Sequence, residues 1–268
     1  MKAVSLNFKH LLTQRLSRRA KKNLYAIIGG MKKRPFIRAF LISALSVTFI
    51  PSGFFRALAS QSSSATIIAN LENKLKSIDS LEADFLQIYI PAAESRGLEE
   101  KGHLYLKKPD LMRWDYISPE RKSFLLKGEL FLSYFFEDKQ VVRQPLAEEE
   151  IKGSILGLLS GKTNLLELYS AQVLSILSDG ATLVLRLEPR QKGEIEQVLL
   201  EIDQRRWLIQ KLSFLESTGS RQEFYFSRFQ LNKPLPNSTF TIPVPPDWEI
   251  IDETRQTKKK EGRAFLTI

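Results

Sequence analysis

The spacing of apolar residues predicts a helix followed by a long series of strands. Over residues 65–80, apolar side chains recur every three or four positions, a period typical of an amphipathic helix. From Leu81 onward, apolar and polar residues alternate, as they do in strands that bury one face. Turn residues such as Lys127-Gly128 and Lys192-Gly193 recur at the spacing of hairpins. The pattern predicts about ten antiparallel strands, the last of them at residues 240–244.

Between residues 144 and 170 the alternation gives way to a second helical pattern. Four apolar residues fall on one face of the predicted helix, namely Ile151, Ile155, Leu158 and Leu159. Three glycines recur every four residues on another face, namely Gly153, Gly157 and Gly161. An interior glycine costs a helix about 1 kcal/mol relative to alanine, so we expect this helix to be only marginally stable. Replacing Gly157 by alanine is then expected to stabilise it.

This number of strands with so few helices favours a mainly β, or α+β, fold in which one sheet curves around its apolar face. A concave face that is too wide for its own side chains to fill needs a plug or a ligand. We therefore expect an apolar hollow inside an open, strongly curved sheet, with the glycine-spaced helix as its movable cover.

The basic residues of the chain are concentrated in its first part. The 268-residue chain has a formal net charge of +10. Residues 1–59 contain 12 lysines and arginines and no acidic residue, which leaves 28 basic and 30 acidic residues in 60–268. Because this larger part is nearly neutral, we expect no nucleic-acid binding, even at the aromatic and basic residues 221–229.

Residues 31–59 have the order of a secretory signal peptide. A basic stretch precedes an apolar run at residues 39–50, and the small-residue triplet Ala57-Leu58-Ala59 follows. The run is shorter than the roughly 20 residues of a membrane-spanning helix. We predict cleavage after Ala59 and export to the periplasm. An uncleaved anchor is the alternative, since Phe54 and Phe55 could extend the apolar run.

The remaining divisions follow from composition. Residues 1–30 precede a signal that is already complete, which a start codon assigned too early explains; a basic amphipathic arm is the alternative. Residues 60–64 are predicted to be a flexible spacer, and 65–252 a single domain. Residues 253–268 are predicted to be a charged C-terminal tail containing Lys258, Lys259 and Lys260.

Residues suited to catalysis or metal binding are scarce. The chain has no cysteine, and residues 60–268 contain one histidine, His103. These counts exclude thiol chemistry, zinc–thiolate sites and multi-histidine metal sites. Glu148, Glu149 and Glu150 favour a solvated first helical turn over a calcium site, because they would point in different directions. We expect no metal, no cofactor and no enzymatic activity; a hydrolase would need a nucleophile within reach of His103.

Three stretches resemble the periplasmic outer-membrane lipoprotein carrier family, LolA. The first is the alternation of Leu81, Ala83, Phe85 and Gln87 directly after the predicted helix. The second runs over residues 102–119, with a glycine, a strand, a basic residue and proline, and a second strand that contains Trp114. The third is the proline-rich stretch at 240–246. Order and spacing are similar over about residues 65–252, and the strongest motifs occupy 81–119.

The resemblance implies an incomplete, strongly curved antiparallel β-barrel with an α-helical lid and a cavity for the acyl chains of lipoproteins. Alternation and resemblance together predict these acyl-chain contacts: Phe85, Leu104, Leu106, Met112, Trp114, Tyr116, Ile155, Leu158 and Leu159. For each of them, ordinary core packing is the alternative. In the family, the basic residue before the proline of the second stretch holds the lid shut, and here that residue is Lys108. Alternation predicts that Lys108 faces inward and Arg113 outward.

The resemblance also implies partners. A monomeric carrier would bind acylated lipoproteins, receive them from an inner-membrane lipoprotein-releasing ABC transporter and deliver them to an outer-membrane lipoprotein receptor. The related receptor is anchored through an N-terminal cysteine, and this chain has no cysteine, so the carrier is expected. The alternative on the same fold is a periplasmic sensor of lipids or lipoproteins that regulates a partner.

Overall fold

The computed structural model describes the backbone of residues 53–254 and side chains from Ser64 onward. Residues 1–52 and 255–268 lie outside the described residues, so the predicted start, signal peptide and most of the charged tail stay predictions. No helix in the described part is long and apolar enough to span a membrane.

The described chain begins with a helix and a series of six strands. Three short helices follow, and then a second series of strands. The helices are α1 (Gly53–Lys76), α2 (Glu148–Lys152), α3 (Ile155–Ser160), α4 (Leu165–Leu168) and a 3-10 helix (Asn237–Phe240). The first strands are β1 (Ser80–Ile90), β2 (Leu98–Lys107), β3 (Leu111–Ser118), β4 (Lys122–Lys127), β5 (Leu130–Phe135) and β6 (Gln140–Pro145). The later strands are β7 (Tyr169–Ile176), β8 (Thr182–Pro189), β9 (Ile195–Asp203), β10 (Leu208–Glu216), β11 (Arg221–Leu231) and β12 (Glu249–Asp252).

Helix α1 begins before the point that its apolar pattern indicated. The pattern predicted a start near residue 65, but the helix starts at Gly53 and includes the predicted spacer at 60–64. The predicted amphipathic face is confirmed, because Ile68, Leu71 and Leu75 are at most 4% exposed. The helix ends where the Ser77 hydroxyl donates to the Lys74 carbonyl at 2.8 Å. The domain boundaries and the cleavage site stay predictions.

The twelve strands form one open sheet made of two meanders. Strands β1 to β6 lie side by side in chain order, as do β7 to β11, and the pairing of β1 with β11 joins the two series. Every pair is antiparallel except β12 with β6. The free edges are β7 and β12, so the sheet does not close. The predicted fold class, an open and mostly antiparallel sheet with few helices, is confirmed.

One buried cluster shows how the sheet curves. It contains Leu104 and Trp114 from the first meander and Leu185 and Leu200 from the second, each at most 1% exposed. Strands that are distant in the sheet order meet in this cluster, so the sheet must curl around its apolar face. The core therefore lies on the concave side.

The last predicted strand, at residues 240–244, is wrong. Phe240 ends the 3-10 helix, and the next described strand is β12, beside β6. Pro243, Pro245 and Pro246 have no amide hydrogen, which makes this stretch a poor ladder partner. Residues 232–248, which we call the outer segment, instead pack on the convex face. There Leu235 and Phe240 lie in a second buried cluster, opposite the concave core.

The helical pattern of residues 151–161 is also divided differently from the prediction. We predicted one continuous helix, but α2 ends at Gly153 and α3 begins after Ser154, whose hydroxyl accepts a hydrogen bond from the Leu156 amide. Gly161 then ends α3 with a φ of 73°, in the left-handed region. Gly153 and Gly161 are therefore C-caps, and Ser154 is the N-cap of α3.

The third glycine lies where α3 packs tightly on α2. A β-carbon on Gly157 would come within 2.3 Å of the Ile151 carbonyl oxygen and 2.7 Å of the Lys152 Cα. The expectation that alanine at Gly157 stabilises a helix is therefore wrong, because the steric cost exceeds the gain in helix propensity.

We predict that Gly157→Ala lowers the free energy of unfolding by about 1–3 kcal/mol through overpacking. Gly153→Ala is the matched control, since its β-carbon would meet the Glu149 carbonyl oxygen at an ordinary 3.5 Å. Urea unfolding followed by circular dichroism measures both variants. Equal stability of the two variants would contradict the close packing of α3 on α2.

Candidate acyl-chain site

The six predicted contacts from the strands form one apolar surface on the concave face. They are Phe85 from β1, Leu104 and Leu106 from β2, and Met112, Trp114 and Tyr116 from β3, all between 1% and 3% exposed. We call these six residues the floor. Their burial confirms the alternation read from the sequence, whereas their contact with acyl chains stays a prediction.

The aromatic rings of the floor are held in edge-to-face contacts. The ring centroid of Phe85 lies 5.0 Å from that of Trp114 and 4.9 Å from that of Tyr116. Such pairs add about 0.5–1.5 kcal/mol beyond the burial of area. These contacts therefore hold the three rings in one packed group.

Gly102 makes room for this arrangement. A β-carbon at Gly102 would come within 2.6 Å of the Phe85 ring and 2.0 Å of the Asp115 carbonyl oxygen. The glycine that opens the second recognised stretch is thus required by the close approach of the Asp115 carbonyl oxygen of β3 and the Phe85 ring, rather than by a turn.

A buried polar pair lies at one end of the floor. The Tyr116 hydroxyl donates to Gln87 Oε1 at 2.5 Å, and burial raises the pKa of Tyr116 well above its usual value. Lys122 Nζ lies 4.7 Å from the centre of the Tyr116 ring and 2.5 Å from Glu100 Oε1. The sequence contained Gln87 in a recognised stretch but gave no indication of this partner.

Two helices bury apolar side chains in the same cluster as the floor. Ile155 and Leu158 of α3 are 3% and 7% exposed, and Leu159 is partly buried against the same cluster. Leu71 and Leu75 of α1 also belong to this cluster. We call α1 and α3 the roof. Sequence reasoning assigned the cover to α3 alone, although the apolar face of α1 was a signal that this helix also needed an apolar surface to cover.

Among the described residues, the expected hollow is occupied by side chains: the floor residues and Ile155 and Leu158 of the roof are at most 7% exposed. Small clefts remain where the helices meet the sheet. One cleft, of about 300 Å³ including its open side, lies between the α2–α3 junction and β8–β10, with Ile155, Leu158, Tyr169 and Phe214 on its walls. The enclosed space is only about 20 Å³, far smaller than a ligand pocket, so a long acyl chain could enter here only if the roof moved.

Lys108 fastens the roof at the other side. Its Nζ donates to the carbonyl oxygens of Leu75 at 2.8 Å and Lys76 at 2.6 Å, the last residues of α1. The negative end of a helix dipole attracts such a cation. Burial lowers the pKa of Lys108, an effect that nearby Asp79 opposes. The ammonium group of Lys108 is therefore held by carbonyl dipoles. Among the described residues, no carboxylate forms a salt bridge with it.

The position of Lys108 differs from the prediction in one respect. Strand alternation predicted an inward-facing residue that holds the glycine-spaced helix, but β2 ends at Lys107, and Lys108 reaches α1 from the following turn. The prediction for Arg113 is confirmed, because its Nη1 donates to the Thr239 carbonyl of the outer segment at 2.6 Å.

His103 and the glutamates of α2 lie away from the floor. His103 alternates with the inward residues of β2, and its Nδ1 lies 2.6 Å from Asp84 Oδ1. Asp84 also pairs with Arg228. Within the described residues, no three histidine, aspartate or glutamate side chains are grouped so that they could hold a metal ion.

Comparison with known proteins agrees with these features. Residues 76–243 match the family described as outer membrane lipoprotein carrier protein LolA. An outer-membrane lipoprotein carrier protein from Pseudomonas paraeruginosa is 26% identical over 213 residues, covering 80% of this chain and 99% of the relative. A protein of the same name from Methylobacillus flagellatus is 26% identical over 186 residues, covering 69% and 89%.

Solved structures with a similar fold include a LolA superfamily protein from Nitrosomonas europaea. It is 16% identical, has a TM-score of 0.38 and covers 67% of this chain and 97% of that chain. The MucA/MucB complex of Pseudomonas aeruginosa matches with 12% identity and a TM-score of 0.42, covering 67% and 60%. Because the family match spans more than half of the chain and includes the entire floor, the chain belongs to the outer membrane lipoprotein carrier protein LolA family.

Proposed function

We propose that this protein is a periplasmic carrier that binds the acyl chains of lipoproteins between the floor and the roof. It takes them from an inner-membrane lipoprotein-releasing ABC transporter and passes them to an outer-membrane receptor, as a monomer without cofactor or catalysis. The observation that carries the proposal is the apolar floor, which shares one buried cluster with α1 and α3, together with the hydrogen bonds that Lys108 donates to the end of α1. The family name and the relatives support lipoprotein binding.

The energetics of burial explain why such a carrier needs a roof. Burial of one methylene group gives about 0.8 kcal/mol, so a chain of about 16 carbons gives about 13 kcal/mol. Three such chains would exceed the practical limit of about 18–21 kcal/mol for non-covalent binding. Displacing the apolar side chains of α1 and α3 from the floor offsets part of this sum. Binding then remains reversible.

The same energetics require direct transfer between docked proteins. An acyl chain that passed through water would lose all of its burial energy. Release by that route would therefore be too slow for delivery. The donor and the acceptor must therefore meet the carrier while its roof is displaced. A sensor on the same fold would bind lipid without handing it over.

Trp114 supplies a test of where the acyl chains bind. We predict that a tripalmitoylated lipopeptide with bromine on its acyl chains quenches Trp114 fluorescence, since heavy atoms would enter the floor. A Trp207→Phe/Trp248→Phe variant isolates Trp114. A Trp114→Phe/Trp207→Phe variant is the control that retains Trp248, which packs against Phe136 outside the concave core.

Equal quenching of both variants, or none in either, would exclude the floor as the acyl-chain site. The loaded protein is then incubated with an outer-membrane lipoprotein receptor. A carrier loses its lipopeptide to the receptor, whereas a sensor retains it.

Lys108 supplies a test of the roof. We predict that Lys108→Met speeds hydrogen exchange in the last turn of α1 by about tenfold, because hydrogen bonds to a charged donor contribute about 1.5–3 kcal/mol. Lys107→Met is the matched control, since Lys107 Nζ donates to the Leu235 carbonyl of the outer segment instead. Unchanged exchange in Lys108→Met, measured by mass spectrometry, would remove the fastening role of this residue.

A further inference from the structure

Two glutamine side chains are buried among the apolar residues of the concave face. Gln87 of β1 and Gln222 of β11 are 3% and 2% exposed. Gln87 is paired in register with Phe224, and Gln222 lies two residues before Phe224 on the same strand. Residues in register, and alternate residues of one strand, share a face of the sheet. Because Phe224 belongs to the concave core, both amides lie on the concave side of two neighbouring strands.

The hydrogen-bonding capacity of these two amides is largely unused. The Gln222 side chain has no hydrogen-bond partner among the described residues. Gln87 Oε1 accepts from the Tyr116 hydroxyl, but Gln87 Nε2 has no acceptor within the same part of the chain. Buried amides are normally paired, because their burial without a hydrogen bond costs free energy. Both amides therefore offer N–H donors to a bound group at one point of an otherwise apolar face.

The amides lie toward the end of the concave face that is opposite Lys108. Strand β1 begins beside Lys107, and near its other end Tyr89 lies between Leu98 of β2 and Gln222 of β11. Leu98 shares the face of Tyr89 and is 52% exposed, so the concave face meets solvent at this end. A ligand held at the amides can thus have its apolar part in the core and its polar part in solvent.

Gln222 also lies next to the cleft at the α2–α3 junction. Phe214 of β10 is paired in register with Gln222, and it lines that cleft together with Ile155 and Leu158 of α3. The cleft itself is too small for an acyl chain. Movement of α3 away from Phe214, which the entry of cargo requires, would also open the concave face beside Gln222.

The charges at this end favour an uncharged acceptor. Glu100 is the register partner of Gln87, and Lys122 is already paired with Glu100 at 2.5 Å. A carboxylate or phosphate bound at Gln87 would be repelled by Glu100. A carbonyl oxygen accepts hydrogen bonds from amide N–H groups without bringing a charge. An acyl ester has this group where its hydrocarbon chain joins its polar head, which matches amides near the open end of an apolar face.

We propose that Gln87 and Gln222 donate hydrogen bonds to the ester carbonyl oxygens that join acyl chains to the glyceryl group of a lipoprotein. The ester end then lies between β1 and β11, the hydrocarbon chains extend along the floor toward Lys108, and the polar part leaves past Leu98. This assignment rests on the proposed function, to which it adds a polar subsite and an orientation of the cargo.

Removal of the carbonyl oxygens from the ligand tests the subsite. The probes are a tripalmitoylated lipopeptide with two ester-linked chains and its analogue with two hexadecyl ether links in their place. Each amide is expected to contribute about a fivefold preference for the ester probe, the usual net effect of one hydrogen bond. Gln222→Leu should lose that factor, and Gln87→Leu/Tyr116→Phe/Gln222→Leu should bind both probes equally. Gln197→Leu, the matched control, should keep the full preference, because Gln197 alternates on β9 with Val198 of the concave core.

Stability distinguishes a ligand-binding amide from a structural one. Because Gln222 has no partner among the described residues, Gln222→Leu should unfold in urea at or above the midpoint of the unaltered protein. A lower midpoint, together with an equal loss of affinity for both probes, would show a structural role and overturn the assignment.

The binding outcomes separate this subsite from the proposed function. Absence of binding of either probe would reject the carrier function and the subsite with it. Tight but equal binding of both probes to the unaltered protein would reject the subsite alone, as would a preference that Gln222→Leu retains in full. Displacement of the bound lipopeptide by an equal concentration of dipalmitoylphosphatidylglycerol would assign the esters to phospholipids and overturn the lipoprotein source.

Discussion

Apolar packing of the roof against the concave side of the curved sheet, in one buried cluster, is the interaction on which the rest of the structure depends. One sheet of twelve strands presents more apolar surface on its concave side than its own side chains can bury, so two helices cover it. The covering helices cannot also be a permanent part of the core if lipid is to enter. Their attachment includes apolar contacts and the two hydrogen bonds of Lys108 to the end of α1.

Much of this arrangement follows from the sequence because a period of two is easily recognised. The alternation over β1 to β3 predicted all six floor residues and the outward direction of Arg113, and the recognised stretches predicted the fold. Other features depend on contacts that no local pattern contains. The tie from Lys108 to α1 spans more than thirty residues, and the partner of Gln87 is on another strand. The addition of β12 to β6 pairs residues that are more than a hundred positions apart.

The glycines at 153, 157 and 161 show why regular spacing does not establish a common role. Spacing alone suggested three equivalent weak points in one helix, yet the glycines have two different structural roles. Gly153 and Gly161 end helices, and Gly157 permits contact of backbone with backbone. The division at Ser154 also gives the cover two short helices with a defined junction, at which one of the clefts opens. A continuous helix would have to move as one rod.

The pairing of β1 with β11 has a consequence for biogenesis. Phe85 is beside Phe226, so the central ladder of the sheet cannot form until nearly all of the chain is available. Contacts between residues so far apart in sequence raise the contact order, which slows folding. If the chain crosses the inner membrane in order of sequence, β1 must wait with one edge unpaired while the second meander arrives. During that interval the unpaired edge of β1 is a template for aggregation.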